Sequence, residues 1–329
     1  MQLAGAGERR QALDLTLEWA ERASPTSAIT DLLVPSLVEI GRRWQSGVWT
    51  VAQEHVASGV TDFVLAVLAN RHPVRVARPG SITVVCPEGE WHAVAAHVVA
   101  ELLRLDGWAV ETLGGSTPRS ELGAYLGARS TVAVAAHCSM TSNLGGLLGT
   151  IEAAHRFGVP VVAGGRAVTP ERARRLGADA CATGLDIASV TALLMRWSAQ
   201  PPAALASARP GPEYYRLEAH RSELVDHTLV GVFETFPALA GLDTAQLRDL
   251  REQVDHLVRF LAASLVVEEP AILHEECRWF DEVFSNRGLP SDLVTVCAAS
   301  LRDAIATLGG DPVPRAQAVL GDVVRQRLG

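Results

Sequence analysis

Apolar positions follow one period before residue 72 and another after residue 80. Leu13, Leu17 and Ala20, then Ile29, Leu32, Leu33, Leu37 and Ile40, then Val51, Val56, Val60, Phe63, Val64, Val67 and Leu68 recur near every 3.6 residues, which predicts a small helical bundle. Gly47 interrupts that pattern, and Thr50 with Gln53 three residues on predicts a capping box at the next helix start. Short, mostly β-branched or small apolar runs then take over at 82–86, 109–113, 131–136, 159–163 and 178–181, each separated from the next by a helical segment. That alternation predicts a doubly wound parallel sheet with right-handed crossovers. Residues 199–213, AQPPAALASARPGPE, carry four prolines and read as a semi-extended linker. Beyond them only helical periodicity remains, over 214–236, 243–267, 270–286, 291–308 and 313–328, with breaks at Pro237 and Gly241, at Pro270, from Gly288 to Pro290, and at Gly309-Gly310. The expected organisation is multi-domain, α with α/β: a helical bundle over 1–75, an α/β domain over 80–198, a linker over 199–213, and an all-α domain over 214–329 that suits a globin-like fold or a dimerisation module.

Composition narrows the function. A chain of 329 residues that is 48% hydrophobic can build several cores. A net charge of −8, no basic cluster and no helix-turn-helix ahead of the bundle argue against direct nucleic-acid binding. Five cysteines, Cys86, Cys138, Cys181, Cys277 and Cys297, are odd in number and form no CxxC pair, as reduced thiols of a cytoplasmic protein would. No signal peptide opens the chain and no apolar run reaches membrane-spanning length, so the sequence predicts a soluble protein without a membrane partner.

The candidate chemistry lies where the predicted strands hand over to helices. His92 follows the first strand, two residues after Glu90, and read alone it is either a solvated loop histidine or a metal ligand whose second nitrogen a carboxylate fixes. The third strand ends in His137-Cys138-Ser139-Met140-Thr141 and the fourth in Gly164-Gly165, small groups on the same sheet edge. Paired glycines there would let a ligand approach the backbone. In the bundle, Trp44, Glu54 and His55 stand near Gly47, as a surface group or as a polar pair awaiting a partner. In the C-terminal helices His220 and His227 lie on the edge of the Leu217 and Leu224 face, and Cys277 projects with Leu273 and Phe280.

Glu90-Trp91-His92-Ala93-Val94-Ala95, Ser139-Met140-Thr141 and Gly164-Gly165 together resemble the cobalamin-binding domain of the methionine synthase and mutase type. The resemblance implies that His92 is the lower axial cobalt ligand, that Glu90 hydrogen-bonds it, that Trp91 belongs to the same cofactor-binding motif, and that Ser139, Thr141, Gly164 and Gly165 hold the displaced nucleotide tail. Ala95 stands where that family has a glycine. The segment IGRRWQSGVWTVAQEHVA, with Trp44, nine intervening residues, then Glu54-His55, resembles the bundle that caps the upper cofactor face in light-sensing repressors of the CarH type. That implies adenosylcobalamin, with Trp44 against the adenosyl group and Glu54 and His55 at it or at the corrin edge. Gln45 stands where those repressors carry a histidine that captures cobalt after photolysis. The order of bundle, cobalamin domain and all-helical C-terminal domain resembles the photocobilins, which adds a second chromophore, biliverdin or another bilin, in a globin-like domain. Its pocket is expected among His220, His227, Arg278 and Cys277. The resemblance implies a non-enzymatic photoreceptor whose light-dependent homo-oligomer signals to a separate effector protein. A corrinoid carrier for a cobalamin-dependent methyltransferase is the alternative; a mutase fragment and a helical scaffold with a vestigial site come after it.

Overall fold

The computed structural model describes residues 2–202, 210–286, 289–290, 292–308 and 311–328. The expected linker falls mostly outside these residues, as do the expected breaks at Gly288 and Gly309-Gly310. The chain divides into two compact units, Met1–Met140 with Gly146–Ser207, and Thr141–Gly145 with Ala208–Gly329.

In the first unit, helices α1 (Arg9–Arg22), α2 (Val34–Gln45) and α3 (Val51–Arg71) form the N-terminal bundle. The capping box is present: Gln53 N donates to Thr50 Oγ1, and Gln53 Oε1 accepts from Thr50 N at 2.9 Å. The Ile29 to Ile40 stripe is not one α-helix. Residues Ala28–Leu33 form a π-helix, in which Val34 N donates to Ile29 O. Pro35 follows and has no N–H to continue the α ladder, so the wider turn sits just ahead of it.

Strands β1 (Ser81–Val85), β2 (Ala109–Thr112), β3 (Ala133–His137), β4 (Val161–Gly164) and β5 (Ala180–Ala182) make one parallel sheet in the order β2-β1-β3-β4-β5. Helices α4 (Ala93–Leu105), α5 (Arg119–Gly127), α6 (Leu144–Arg156), α7 (Pro170–Leu176) and α8 (Ile187–Ala199) connect and cover it. The chain leaves β1 toward β2 and returns to place β3 on the other side of β1, so the topological switch lies between β1 and β3. In an open α/β sheet the crevice beyond the carboxyl ends of such a pair is where ligands bind. The register sets Val85 beside Ala136 and His137 beside Gly164, which brings the loops after β1, β3 and β4 to one edge.

Helix α4 belongs to two cores at once. Val98 and Leu102 are buried in the bundle cluster with Ile29, Ile40, Leu65 and Leu68, whereas Ala96, Ala100 and Leu103 are buried against the sheet with Ile82, Val84 and Trp108. Positions three, four and seven apart share a helical face, so a helix apolar on both faces must be covered on both.

The second unit is helical: α9 (Pro212–Ala219), α10 (Arg221–Thr235), α11 (Thr244–Val266), α12 (Ala271–Ser285), α13 (Leu293–Thr307) and α14 (Pro314–Leu328). The single helix expected over 214–236 is two. His220 leaves helical geometry at φ −104°, ψ 12°, ending α9 and opening α10. Leu217 and Leu224 are both buried, and their seven-residue spacing hid the break from the apolar pattern. All five cysteines are free thiols. Among the described residues no helix is long and apolar enough to cross a membrane.

Candidate functional site

The site is built around a buried carboxylate. β1 ends in Val85 and Cys86, Pro87 bridges to Thr117, and Gly89 turns the chain at φ +87° so that Glu90 points back into the molecule. Glu90 is 0% exposed. Burying an ionised carboxylate is tolerated only where donors replace water. Its Oε1 accepts from His92 N at 3.1 Å and pairs with His92 Nδ1 at 2.5 Å, and its Oε2 accepts from Ser139 N at 2.7 Å and Met140 N at 2.9 Å. One side chain therefore fixes the loops after β1 and β3 to each other and sets the orientation of the imidazole.

His92 stands at the N-cap of α4 with 56% of its side chain exposed. The Glu90 hydrogen bond is the main cause of a raised imidazole pKa; burial opposes it, the charges of Glu90 and Glu54 add to it, and Arg166 opposes it. With Nδ1 committed to Glu90, Nε2 is the nitrogen left for a metal. Trp91, beside it, is 75% exposed, an apolar ring at the mouth of the site. Among the described residues no three or more His, Cys, Asp or Glu side chains converge as a metal cage. A single oriented imidazole suits a metal whose other ligands come from a macrocycle, so the residues present fit a corrinoid.

The neighbouring loops close round the same point. His137 Nε2 shares a 2.8 Å hydrogen bond with Ser139 Oγ, and burial lowers the pKa of His137, which keeps that ring neutral. A Cβ on Gly165, whose φ is +106°, would lie 2.3 Å from Cys138 O, and one on Gly164 would lie 3.2 Å from Ala182 O. The backbones of neighbouring strand ends thus give the pair a packing reason of its own: Gly165 is small because the loop after β3 presses on it. Ser139, Gly164 and Gly165 lie in the first unit with His92; Thr141 is grouped with the second.

From the bundle, Trp44 ends α2 half-buried, Gly47 turns at φ +70°, and Glu54 and His55 sit in the first turn of α3. Glu54 accepts from Ser58 Oγ at 2.6 Å and lies 3.5 Å from His55, whose side chain is 74% exposed. The Glu54 charge is felt at His92, so these two expected site residues are near one another. Asp62 of α3 and His97 of α4 form a further tie, Oδ1 to Nδ1 at 2.7 Å.

The C-terminal candidates sit in different settings. His220 pairs with Glu223 at 2.9 Å on the surface, His227 is exposed, and Cys277 is buried while Arg278, the next residue, faces outward. Burial pushes the Cys277 thiol up to about 12. A cavity of about 490 Å³ in this unit is lined by charged side chains of both signs, among them Arg221, Arg248, Arg251, Glu252 and Asp255, and by none of those four.

Sequence reasoning missed Gly146, Arg166 and the Asp62–His97 tie. A Cβ on Gly146 would meet Glu88 O at 2.3 Å, so the start of α6 presses on the loop that carries Glu90 and His92. A glycine pair inside an apolar helical run was the available signal, because glycine weakens a helix interior and needs a packing reason. Nothing in the pattern marked Asp62 or His97 as partners, since they are 35 residues apart on different helices.

Two family models, each described as B12 binding domain, match residues 2–69 and 80–191. The HTH-type transcriptional repressor CarH of Myxococcus xanthus is 35% identical over 99 residues, 30% of this chain and 32% of that protein. The chain thus spans about a third of the length of that relative. Among solved structures, the monomethylamine corrinoid protein of Methanosarcina barkeri superposes with a TM-score of 0.52 at 18% identity, over 58% of this chain and 94% of that one, which is a likeness of fold. The methanol:cobalamin methyltransferase complex MtaBC of the same organism has a TM-score of 0.33 at 18% identity, over 59% and 77% of the two chains. The chain carries cobalamin-binding domains similar to that of CarH.

Proposed function

We propose that this chain is a cobalamin-based light sensor that binds adenosylcobalamin with His92 as the lower ligand. The observation that carries the reading is the Glu90–His92 pair at the switch between β1 and β3, with Glu54 of the bundle close enough for its charge to act on His92. Bound adenosylcobalamin would supply a cobalt–carbon bond that visible light breaks. Glu90 holds Nδ1 and leaves Nε2 to the metal, Trp91 and Trp44 supply apolar surface beside the site, and Ser139, Gly164 and Gly165 form the wall toward the nucleotide tail. Helix α4 begins at His92 and is buried in the bundle through Val98 and Leu102, so a change at the ligand has a packed path to the bundle. The output is a change in homo-oligomer assembly passed to a separate partner protein.

The second chromophore has less behind it. Of the residues named for it, His220 pairs with Glu223, His227 and Arg278 are exposed and Cys277 is buried, and a cavity lined largely by charged side chains of both signs touches none of the four.

The deciding experiment is an absorption spectrum and size-exclusion profile of the full chain with adenosylcobalamin and biliverdin, in the dark and after green light. A bleached cobalamin band with a change in size supports the sensor, and a retained long-wavelength band would support a bilin as second chromophore. Bound cobalamin with no size change, together with methyl transfer from methylcobalamin to a partner enzyme, would instead make the chain a corrinoid carrier.

A further inference from the structure

The loop after β4 holds a cation for which no acidic partner is seen among the described residues. Gly165 packs on the Cys138 backbone, and Ala167 N donates to Cys138 O at 3.2 Å, so the chain is anchored to the loop after β3 on both sides of Arg166. Val168 N closes the turn onto Gly165 O at 3.0 Å, and the buried Arg172 holds Ala167 O at 3.0 Å. Arg166 itself is exposed, and its guanidinium rests 4.0 Å from Met140 Sδ, next to Ser139. The neighbouring arginines on α7 differ: Arg174 and Arg175 both pair with Glu171. A guanidinium on an anchored backbone at a ligand mouth, with no acidic partner among the described residues, is suited to an anion.

The chemistry of the ligand says which anion. The periphery of a corrinoid is neutral amide, and in complete cobalamin its one phosphate is the diester that links the corrin side chain to the nucleotide. That tail is the part expected beside Ser139 and the Gly164-Gly165 turn. We propose that Arg166 binds the tail phosphodiester and makes this chain select complete cobalamins over tail-less cobinamides. Arg166 is then a specificity residue: it touches neither the cobalt nor its upper ligand. The inference rests on the cobalamin reading and is independent of any light response.

The test is a titration of the full-length apoprotein with aquocobalamin and with aquocobinamide, followed by the absorption change on binding, for the wild type, Arg166→Gln and Arg166→Lys. Loss of a charge-assisted contact predicts cobalamin binding about tenfold to a hundredfold weaker in Arg166→Gln, with cobinamide affinity unchanged. Arg166→Lys, which keeps the charge and loses the planar fork, should fall between. Added salt should weaken wild-type binding to cobalamin more than that of Arg166→Gln. Equal loss for both corrinoids, or no loss for either, overturns the proposal, and an unchanged melting temperature of the apo variants shows that the fold is not the cause. Wild-type protein that binds neither corrinoid would overturn the cobalamin reading itself, and this inference with it.

Discussion

At the scale of single residues the site depends on Glu90. Its carboxylate is removed from water and accepts from the backbone of two loops as well as from His92, so its removal leaves several part-buried donors without their acceptor. Each such orphan costs about 1–3 kcal/mol, and breaking a buried charged pair about 3–5 kcal/mol in all. Glu90→Ala is therefore expected to lower the unfolding free energy of the apoprotein by about 3–5 kcal/mol, read from urea melts; a loss below about 1 kcal/mol would mean that the loops are held by other contacts. His92→Ala is milder, because it takes one side-chain donor from Glu90 and leaves the three backbone donors in place. It should lower stability by about 1–3 kcal/mol while abolishing the absorption shift that imidazole coordination gives to added cobalamin. Gly165→Ala combines a +106° φ with a 2.3 Å approach to Cys138 O and should cost more than about 2 kcal/mol.

Helix α4 is the element on which the first unit turns, because it starts at His92 and packs on both the sheet and the bundle. Its tie to α3 is the His97–Asp62 hydrogen bond, which is also the main cause of the raised His97 pKa; burial opposes it and the charge of Asp62 adds to it. A histidine whose folded pKa lies above its unfolded value near 6.5 adds stability that is complete below about pH 6.5 and is lost as pH rises through the folded value. Asp62 is 43% exposed, so solvent screening holds the effect below about 1 kcal/mol. The stability difference between wild type and His97→Gln should accordingly be larger at pH 6 than at pH 8.5, and Asp62→Asn should flatten the pH dependence; parallel curves for all three would remove the pair from the account. The strands and helices of this unit were legible because buried runs and 3.6-residue stripes are local signals. The Asp62–His97 tie was not, and neither was the π-turn at Ala28–Leu33, since each depends on where a distant side chain or a following proline leaves a donor. The same distinction holds within the site: Glu90, His92 and the glycine pair stood out as residue types at fixed spacing, whereas the role of Gly165 as a rest for Cys138 appeared only once β3 and β4 were side by side.

For the whole molecule the remaining question is how an event at one residue would alter an assembly. A switch requires that its two states differ in free energy of interaction with something, which on the proposed reading is a second copy of the chain. Reversing a two-state population from 1:99 to 99:1 takes about 5.5 kcal/mol of differential contact. Loss of a few hydrogen bonds could not supply that, but repacking of a bundle core could, since each fully buried large apolar side chain is worth about 1.5–3 kcal/mol. The bundle core contains Ile29, Ile40, Leu65 and Leu68 together with Val98 and Leu102 of α4. Trp44, half-buried at the end of α2, is the bundle residue expected to sense the upper side of the site. Trp44→Ala should leave dark binding of adenosylcobalamin and its bleaching by green light in place, because neither needs the indole to hold the metal. The change in elution volume between dark and lit samples should shrink or vanish, because the bundle no longer registers what lies beneath it. A Trp44→Ala protein that still changes size on illumination would assign the coupling to α4 alone, and the His97→Gln variant, measured in the same way, would then be the one expected to lose it.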